Sequence, residues 1–242
     1  MKEAIDVVIL AGGKGSRLQA IVSDRPKPMA EINGRPFLDI LLNHFRGMGL
    51  ERFILCTGDK ADFIEDYYKK KRGFDISFSS ESIPLGTGGA IKNAEALINS
   101  DPFFVVNGDS FCPVDLPQFT KFHAQKKSLL SIILIESDNT NEFGSVYIDH
   151  SNRIIGFEEK KEKDGMSYIN AGIYLFKKEI LCMIPANAKY SLEYDLFPKL
   201  VGKEIYGFPI MAELVDIGTP ARYEYAKRFF DGKNKKKEKK SF

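Results

Sequence analysis

Apolar positions in the first half of the chain follow two alternating rhythms. Residues 7–10 form an unbroken apolar run that stops at Ala11-Gly12-Gly13, the pattern of a central parallel strand meeting a loop. Residues 37–48 (FLDILLNHFRGM) carry apolar side chains at helical spacing and close at Gly49. Residues 52–57 (RFILCT) predict a second strand and residues 61–70 a second amphipathic helix. A strand over 75–79, a helix over 89–98 and an apolar strand over 103–106 follow, the last running into Asn107-Gly108-Asp109. Strand and helix alternating at this spacing predict an α/β, doubly wound sheet with right-handed crossovers. In such sheets ligands bind beyond the carboxyl ends of the strands. Two glycine-bearing loops lie there, after residues 7–10 and after 103–106.

The second half is β-rich. Strands are expected over 129–135, 145–148, 153–158 and 168–176, with few helical stretches between them. They read as additions to the same sheet, so a single domain over residues 1–231 is expected. A strand over 213–216 leads to Gly218-Thr219-Pro220, a start signal for a helix over 220–230. Residues 232–242, rich in lysine, are expected to be a solvated, disordered tail.

Charge and composition narrow the function classes. The formal net charge is +2, but the last ten residues hold six Lys against one Glu, so the rest of the chain sums to −3. A mildly acidic body argues against a phosphate-tracking nucleic-acid surface. No apolar run approaches the roughly 20 residues that span a bilayer, and the N-terminus reads as a strand and not a signal peptide. Cys56, Cys112 and Cys182 are scattered in apolar contexts, as expected of buried free thiols in a reducing cytoplasm. His44, His123 and His150 lack metal-ligand spacing.

The chemistry concentrates in LAGGKGSRL (residues 10–18) and RPKPM (residues 25–29). The first has neither the Walker spacing, since Lys14 is followed by Gly15, nor the dinucleotide GxGxxG spacing. Its physics still points to phosphate. Leu10, Ala11, Gly12 and Gly13 let backbone N–H groups approach an anion, and a short helix expected next would add its positive end. Arg17 adds a planar fork, and Lys27 a point charge held between two prolines. Asp109 and Asp216 each close an apolar strand, where two carboxylates from distant segments make a hard-oxygen site for Mg²⁺.

LAGGKGSRL with PKPM resembles the signature of the sugar-1-phosphate nucleotidyltransferases, and further motifs extend the resemblance to about Tyr223. The resemblance implies a Rossmann-like fold with a mixed sheet, and reaction of an NTP with a sugar 1-phosphate to give an NDP-sugar and pyrophosphate. It implies Mg²⁺ as cofactor and, at family level, a homodimer. It assigns Gly86, Thr87 and Gly88 in ESIPLGTGGA to the nucleotide base. It assigns Gly144, Glu158, Lys160, Asn170 and Gly172 to the sugar phosphate, although EEKKEKDG on its own also reads as a solvated charge run. Within the family, IVSDRPKPMAEINGRPFLDILL, EFGSV and YSLEYDLFPKL look most like the guanylyltransferases of a heptose 1-phosphate, which make GDP-heptose for surface polysaccharide. Mannose 1-phosphate guanylyltransferases and short uridylyltransferases share most of these motifs.

Residue chemistry adds one point on the base. Guanine presents two adjacent donors on its Watson–Crick edge where uracil and thymine present one, and the two oxygens of Glu81 match guanine, hence GTP. No protein nucleophile is required: in-line attack at the α-phosphorus needs charge neutralisation and alignment. Arg17 is expected at the leaving phosphates, Lys27 and Lys160 at the attacking phosphate. A non-catalytic relative would have no chemical need for Arg17, Lys27, Asp109 and Asp216 together.

Overall fold

A computed structural model describes residues 4–137, 144–158 and 167–238, with side chains described to residue 232. The chain runs β1 (Asp6–Leu10), β2 (Glu31–Ile32), β3 (Arg35–Pro36), α1 (Phe37–Arg46), β4 (Arg52–Thr57), α2 (Ala61–Lys69), β5 (Asp75–Ser80), α3 (Gly86–Asn93), β6 (Phe103–Asn107) and β7 (Ser110–Phe111). It continues with α4 (Leu116–Lys126), β8 (Leu130–Ser137), β9 (Ser145–Ile148), β10 (Ile154–Glu158), β11 (Ser167–Phe176), α5 (Phe197–Leu200), β12 (Ile205–Ile210), β13 (Val215–Asp216) and α6 (Pro220–Glu238).

One mixed, Rossmann-like sheet of nine strands organises the molecule. Its main path is β10-β9-β11-β6-β1-β4-β5, with β8 and β12 attached beside β11. β1 is paired in parallel on both sides, with β4 and β6, and is apolar from Val7 to Leu10, after the buried Asp6 at its start. Strands from the second half join antiparallel through β11, which pairs with β6, β8 and β9. Two apolar clusters fill the two faces of the sheet. Val7, Ile9, Phe104 and Val106 point to one, and Val8, Ile54, Phe103 and Val105 to the other, the period-two alternation of a strand covered on both sides.

Several elements depart from the sequence reading. α4 is absent from that reading: Leu116, Phe119 and His123 are its buried residues, a face too sparse to stand out among Gln, Lys and Thr. β12 (IYGFPI) holds Gly207 and Pro209, which mask a strand; it survives because β8 is its one strand partner, with only a bridge from Tyr206 to Arg153 and the Gly207 N–H on the Asn152 carbonyl on its other side. α3 begins at Gly86 and not at residue 89. α6 continues past residue 230 to Glu238, so most of the segment expected as a disordered tail is helical; beyond Gly232 its Lys, Glu and Asn offer no breaker. Cys182 is exposed, not buried, on a 3₁₀ turn. Among the described residues no helix is long and apolar enough to cross a membrane.

Candidate active site

A cavity of about 690 Å³ opens beyond the carboxyl ends of β1, β4 and β6. Leu10, Ala11, Gly12, Gly13, Lys27, Glu81, Gly86, Thr87 and Asp109 all line it, so nine expected site residues from four separate segments meet there. Asn107, Gly58, Asp59 and Lys60 line it as well. The sequence reading passed over these four, although the last three directly follow β4 and the strand-end rule points to them.

The loop after β1 is shaped around Lys27. Gly15 sits at φ +60°, and a Cβ there would lie 2.8 Å from the Lys27 Cβ. Lys27 itself follows Pro26 and opens a single 3₁₀ turn, Lys27–Met29, whose Pro28 and Met29 are buried. That turn aims the ammonium at Asp109, with which it forms a part-buried ion pair. No helix follows the glycine loop. Residues 16–21 form turns closed by the Leu18 N–H on the Gly15 carbonyl (2.9 Å) and the Ile21 N–H on the Leu18 carbonyl (3.0 Å). Pro26 and Pro28 close behind them bias the chain away from helix. What this loop offers an anion is therefore backbone N–H groups and cations, without a helix end.

Asp109 and Asp216 are neighbours. Ser110 pairs with Asp216 in the β7–β13 ladder, and the Ile217 N–H donates to the Asp109 carbonyl at 3.1 Å. Asp216 Oδ1 accepts from the Gly218 N–H (2.8 Å) and from Arg222 (3.1 Å), near the start of α6. Burial, and then the Asp109 charge, push the Asp216 carboxyl above the usual range, against the Gly218 hydrogen bond. Burial and the repulsion of Arg17 lower the Arg222 guanidinium. Arg17 is exposed but close, its guanidinium 3.9 Å from where a Gly218 Cβ would stand. Arg17, Lys27 and Arg222 thus surround two carboxylates. Arg222 had no signal in the sequence beyond its place after a helix-start proline. Two adjacent carboxylates, of which Asp109 lines the cavity, match the donor set of Mg²⁺, which characteristically takes one or two carboxylates and completes its shell with phosphate and water.

At the other end of the cavity, Glu81 is anchored by its own N–H on the Thr57 carbonyl (2.9 Å), while Oε2 accepts from the Leu85 N–H (3.1 Å). Burial raises its carboxyl, opposed by that hydrogen bond. The glycine loop is less open than expected. Gly88 does not line the cavity: it is buried, and its N–H donates to the Tyr190 carbonyl at 2.9 Å.

The residues assigned to the sugar phosphate gather around β11. Glu158 pairs with Ser145 across β9 and β10, next to Gly144, and Glu158 Oε2 accepts from the Tyr147 hydroxyl at 2.5 Å. Asn170 sits where β11 changes partner from β9 to β6 and its register with β8 slips. Its Oδ1 accepts from the Gly172 N–H (2.9 Å) and its Nδ2 donates to the buried Tyr174 hydroxyl (2.9 Å). Gly172, at φ +73°, leaves no room for a side chain: a Cβ would lie 2.6 Å from the Asn107 amide. Asn107 lines the cavity, so the two groups of residues adjoin. Lys160 lies outside the described residues.

A sequence model described as nucleotidyl transferase matches residues 6–231. The chain belongs to the nucleotidyl transferase family. Among its relatives, the D-glycero-α-D-manno-heptose 1-phosphate guanylyltransferase of Aneurinibacillus thermoaerophilus is 36% identical over 226 residues, covering 93% of this chain and 97% of that protein. The mannose-1-phosphate guanylyltransferase of Mycobacterium tuberculosis is 35% identical over 221 residues, but this chain spans only 62% of its length. The crystal structure of HddC from Yersinia pseudotuberculosis complexed with GMP-PN superposes with a TM-score of 0.83 at 38% identity, covering 93% of this chain and 99% of that one. This nucleotidyl transferase thus shares sequence with both kinds of guanylyltransferase, and fold with HddC.

Proposed function

We propose that the protein transfers GMP from GTP to D-glycero-α-D-manno-heptose 1-phosphate, giving GDP-heptose and pyrophosphate. One arrangement carries this reading: a cavity lined by Glu81, Lys27 and Asp109, with Asp216, Arg222 and Arg17 adjoining Asp109 just beyond its lining. Glu81 offers acceptors to the two guanine donors. The backbone N–H groups of Gly12 and Gly13 and the Arg17 guanidinium serve the triphosphate, the Ala11 N–H being held by the Cys56 carbonyl (2.9 Å). Lys27, drawn from Asp109 to substrate, steadies the sugar phosphate. A phosphate oxygen of the sugar 1-phosphate forms a bond to the α-phosphorus while the bond to the β-phosphate oxygen breaks in line, and pyrophosphate carries the electron pair away. Arg17 and Arg222 offset the charge that gathers on the leaving group. Asp109 and Asp216 would hold Mg²⁺, which would supply further charge neutralisation at the phosphates. Glu158, Asn170 and the backbone at Gly172 orient the sugar.

The relatives favour heptose because this chain spans nearly the whole of the heptose enzymes and a smaller share of the mannose one. Mannose 1-phosphate is the second reading, supported by similar identity. Pyrophosphate release with Mg²⁺ separates them, using GTP, UTP, CTP, ATP and dTTP crossed with heptose, mannose and glucose 1-phosphates. Release with GTP and the heptose 1-phosphate is expected. Release with mannose 1-phosphate in its place would move the acceptor, and release with another NTP would overturn the role of Glu81.

A further inference from the structure

The first turn of α3 carries Gly86 and Thr87 into the cavity, yet little in its own sequence holds it. Its first four residues are Gly86-Thr87-Gly88-Gly89, poor helix formers, and Leu85 at the N-cap offers no side-chain cap. The hydrogen bonds come from a distant segment. The Gly88 and Gly89 N–H groups both donate to the Tyr190 carbonyl (2.9 and 3.0 Å), and the Tyr190 N–H returns one to Leu85 (2.8 Å). The Thr87 hydroxyl accepts from the Leu192 N–H at 2.8 Å and donates to Glu193 Oε2 at 2.9 Å.

Glu193 is itself fixed. Its Oε2 also accepts from the Ser191 hydroxyl (2.8 Å), and Ser191 Oγ accepts from the Glu193 N–H (3.1 Å) at the start of a π-helical turn, Leu192–Leu196. Such turns are rare and frequent at functional sites. Directly after it, the Phe197 ring stacks on Phe157, the neighbour of Glu158 on β10 (centroids 5.3 Å apart). One short segment therefore braces the nucleotide loop on one side and the strand bearing Glu158 on the other.

We infer that Glu193 is a positioning residue for the nucleotide, holding through the Thr87 hydroxyl the backbone at residues 86–87 that borders the nucleotide cavity. The inference rests on the reading of that cavity as the nucleotide site. It works through the acceptor oxygen of Glu193 and not through its charge, so glutamine should replace it and leucine should not.

The test uses the full-length protein with four substitutions: Glu193→Leu, Glu193→Gln, Thr87→Val and the double Glu193→Leu/Thr87→Val. The Kd for a fluorescent GTP analogue is measured, together with KM for each substrate and kcat. Glu193→Leu and Thr87→Val should each weaken the nucleotide about 5- to 10-fold, the size of one lost hydrogen bond. KM for the sugar 1-phosphate should stay within about twofold, Glu193→Gln should resemble the parent, and the double substitution should be no weaker than Glu193→Leu alone. Unchanged nucleotide affinity in Thr87→Val, additive losses in the double variant, or Glu193→Gln as damaging as Glu193→Leu would each overturn the inference. If Glu193→Leu fails to fold, Thr87→Val and Glu193→Gln still decide it. A parent protein that binds another NTP instead of GTP would refute the guanylyltransferase reading alone, and the same ratios would then be read with that NTP.

Discussion

Gly15→Ala probes how the loop after β1 holds Lys27 without replacing any charged group. Two costs follow from the geometry. At φ +60° an alanine pays roughly 1–2 kcal/mol of left-handed strain. In a chain of 242 residues, about 1 kcal/mol corresponds to a Tm drop of roughly 2–4 °C, so the strain alone predicts a fall of a few degrees. The second cost is local. The new Cβ would stand 2.8 Å from the Lys27 Cβ, inside ordinary contact, so the lysine must give way by several tenths of an ångström or more. Lys27 is fixed behind by buried Pro28 and Met29, so the shift passes to its ammonium. Misplacement of a catalytic group by about 1 Å can cost 10²-fold, and a loss in kcat/KM of roughly 10- to 100-fold is expected here. Continuous pyrophosphate release gives the rate, and thermal unfolding with far-UV circular dichroism confirms the fold. Wild-type kcat/KM in a protein that has lost only those few degrees would show that the Gly15–Lys27 contact does not set the position of the lysine.

Three other outcomes are expected. Glu81→Gln exchanges one acceptor for a donor facing guanine and should reduce the preference for GTP over UTP by about 10-fold or more, read from the two kcat/KM values; an unchanged preference would remove Glu81 from base selection. Arg17→Ala should lower kcat by about 10²-fold, as for other lost charge stabilisers, and a change below tenfold in a folded protein would refute its role at the leaving phosphates. His123 bears on stability: it is buried, its Nδ1 meets Ser131 Oγ at 2.9 Å, and burial, aided by Lys177 and opposed by Asp101, lowers it to about 4 from the ordinary 6.5. The unfolded chain therefore binds the proton first; the native state keeps its full stability above pH 6.5 and loses it as the pH falls toward 4, at up to about 1.4 kcal/mol per pH unit. Denaturant titrations at pH 7 and pH 5 should show a smaller loss in His123→Gln than in the parent, and equal losses would contradict the buried, neutral imidazole.

The strand-end logic was readable in the chain because it depends on short local patterns. A continuous apolar run reaching Leu10, another reaching Thr57, and a third ending in Asn107-Gly108-Asp109 mark the sheet and the loops beyond it. What escaped depends on contacts between distant segments. α4 buries few residues, and β12 is a strand only because β8 lies beside it. The early start of α3 comes from Tyr190, far along the chain, which supplies the acceptor that its glycines lack in isolation. The same reason hid Arg222, whose part in the site arises from its ion pair with Asp216, and Glu193, which reads as an ordinary acidic residue until Thr87 is brought to it. The glycines at 86 and 88 look alike in sequence, yet only Gly86 lines the cavity.

A crystal structure of the protein with a non-hydrolysable GTP analogue and Mg²⁺ would test the central claim most directly. The account predicts guanine against the Glu81 carboxylate, the triphosphate along residues 11–17, and the metal between Asp109 and Asp216. A nucleotide bound with its base away from Glu81, or with its phosphates remote from Arg17 and Lys27, would contradict it.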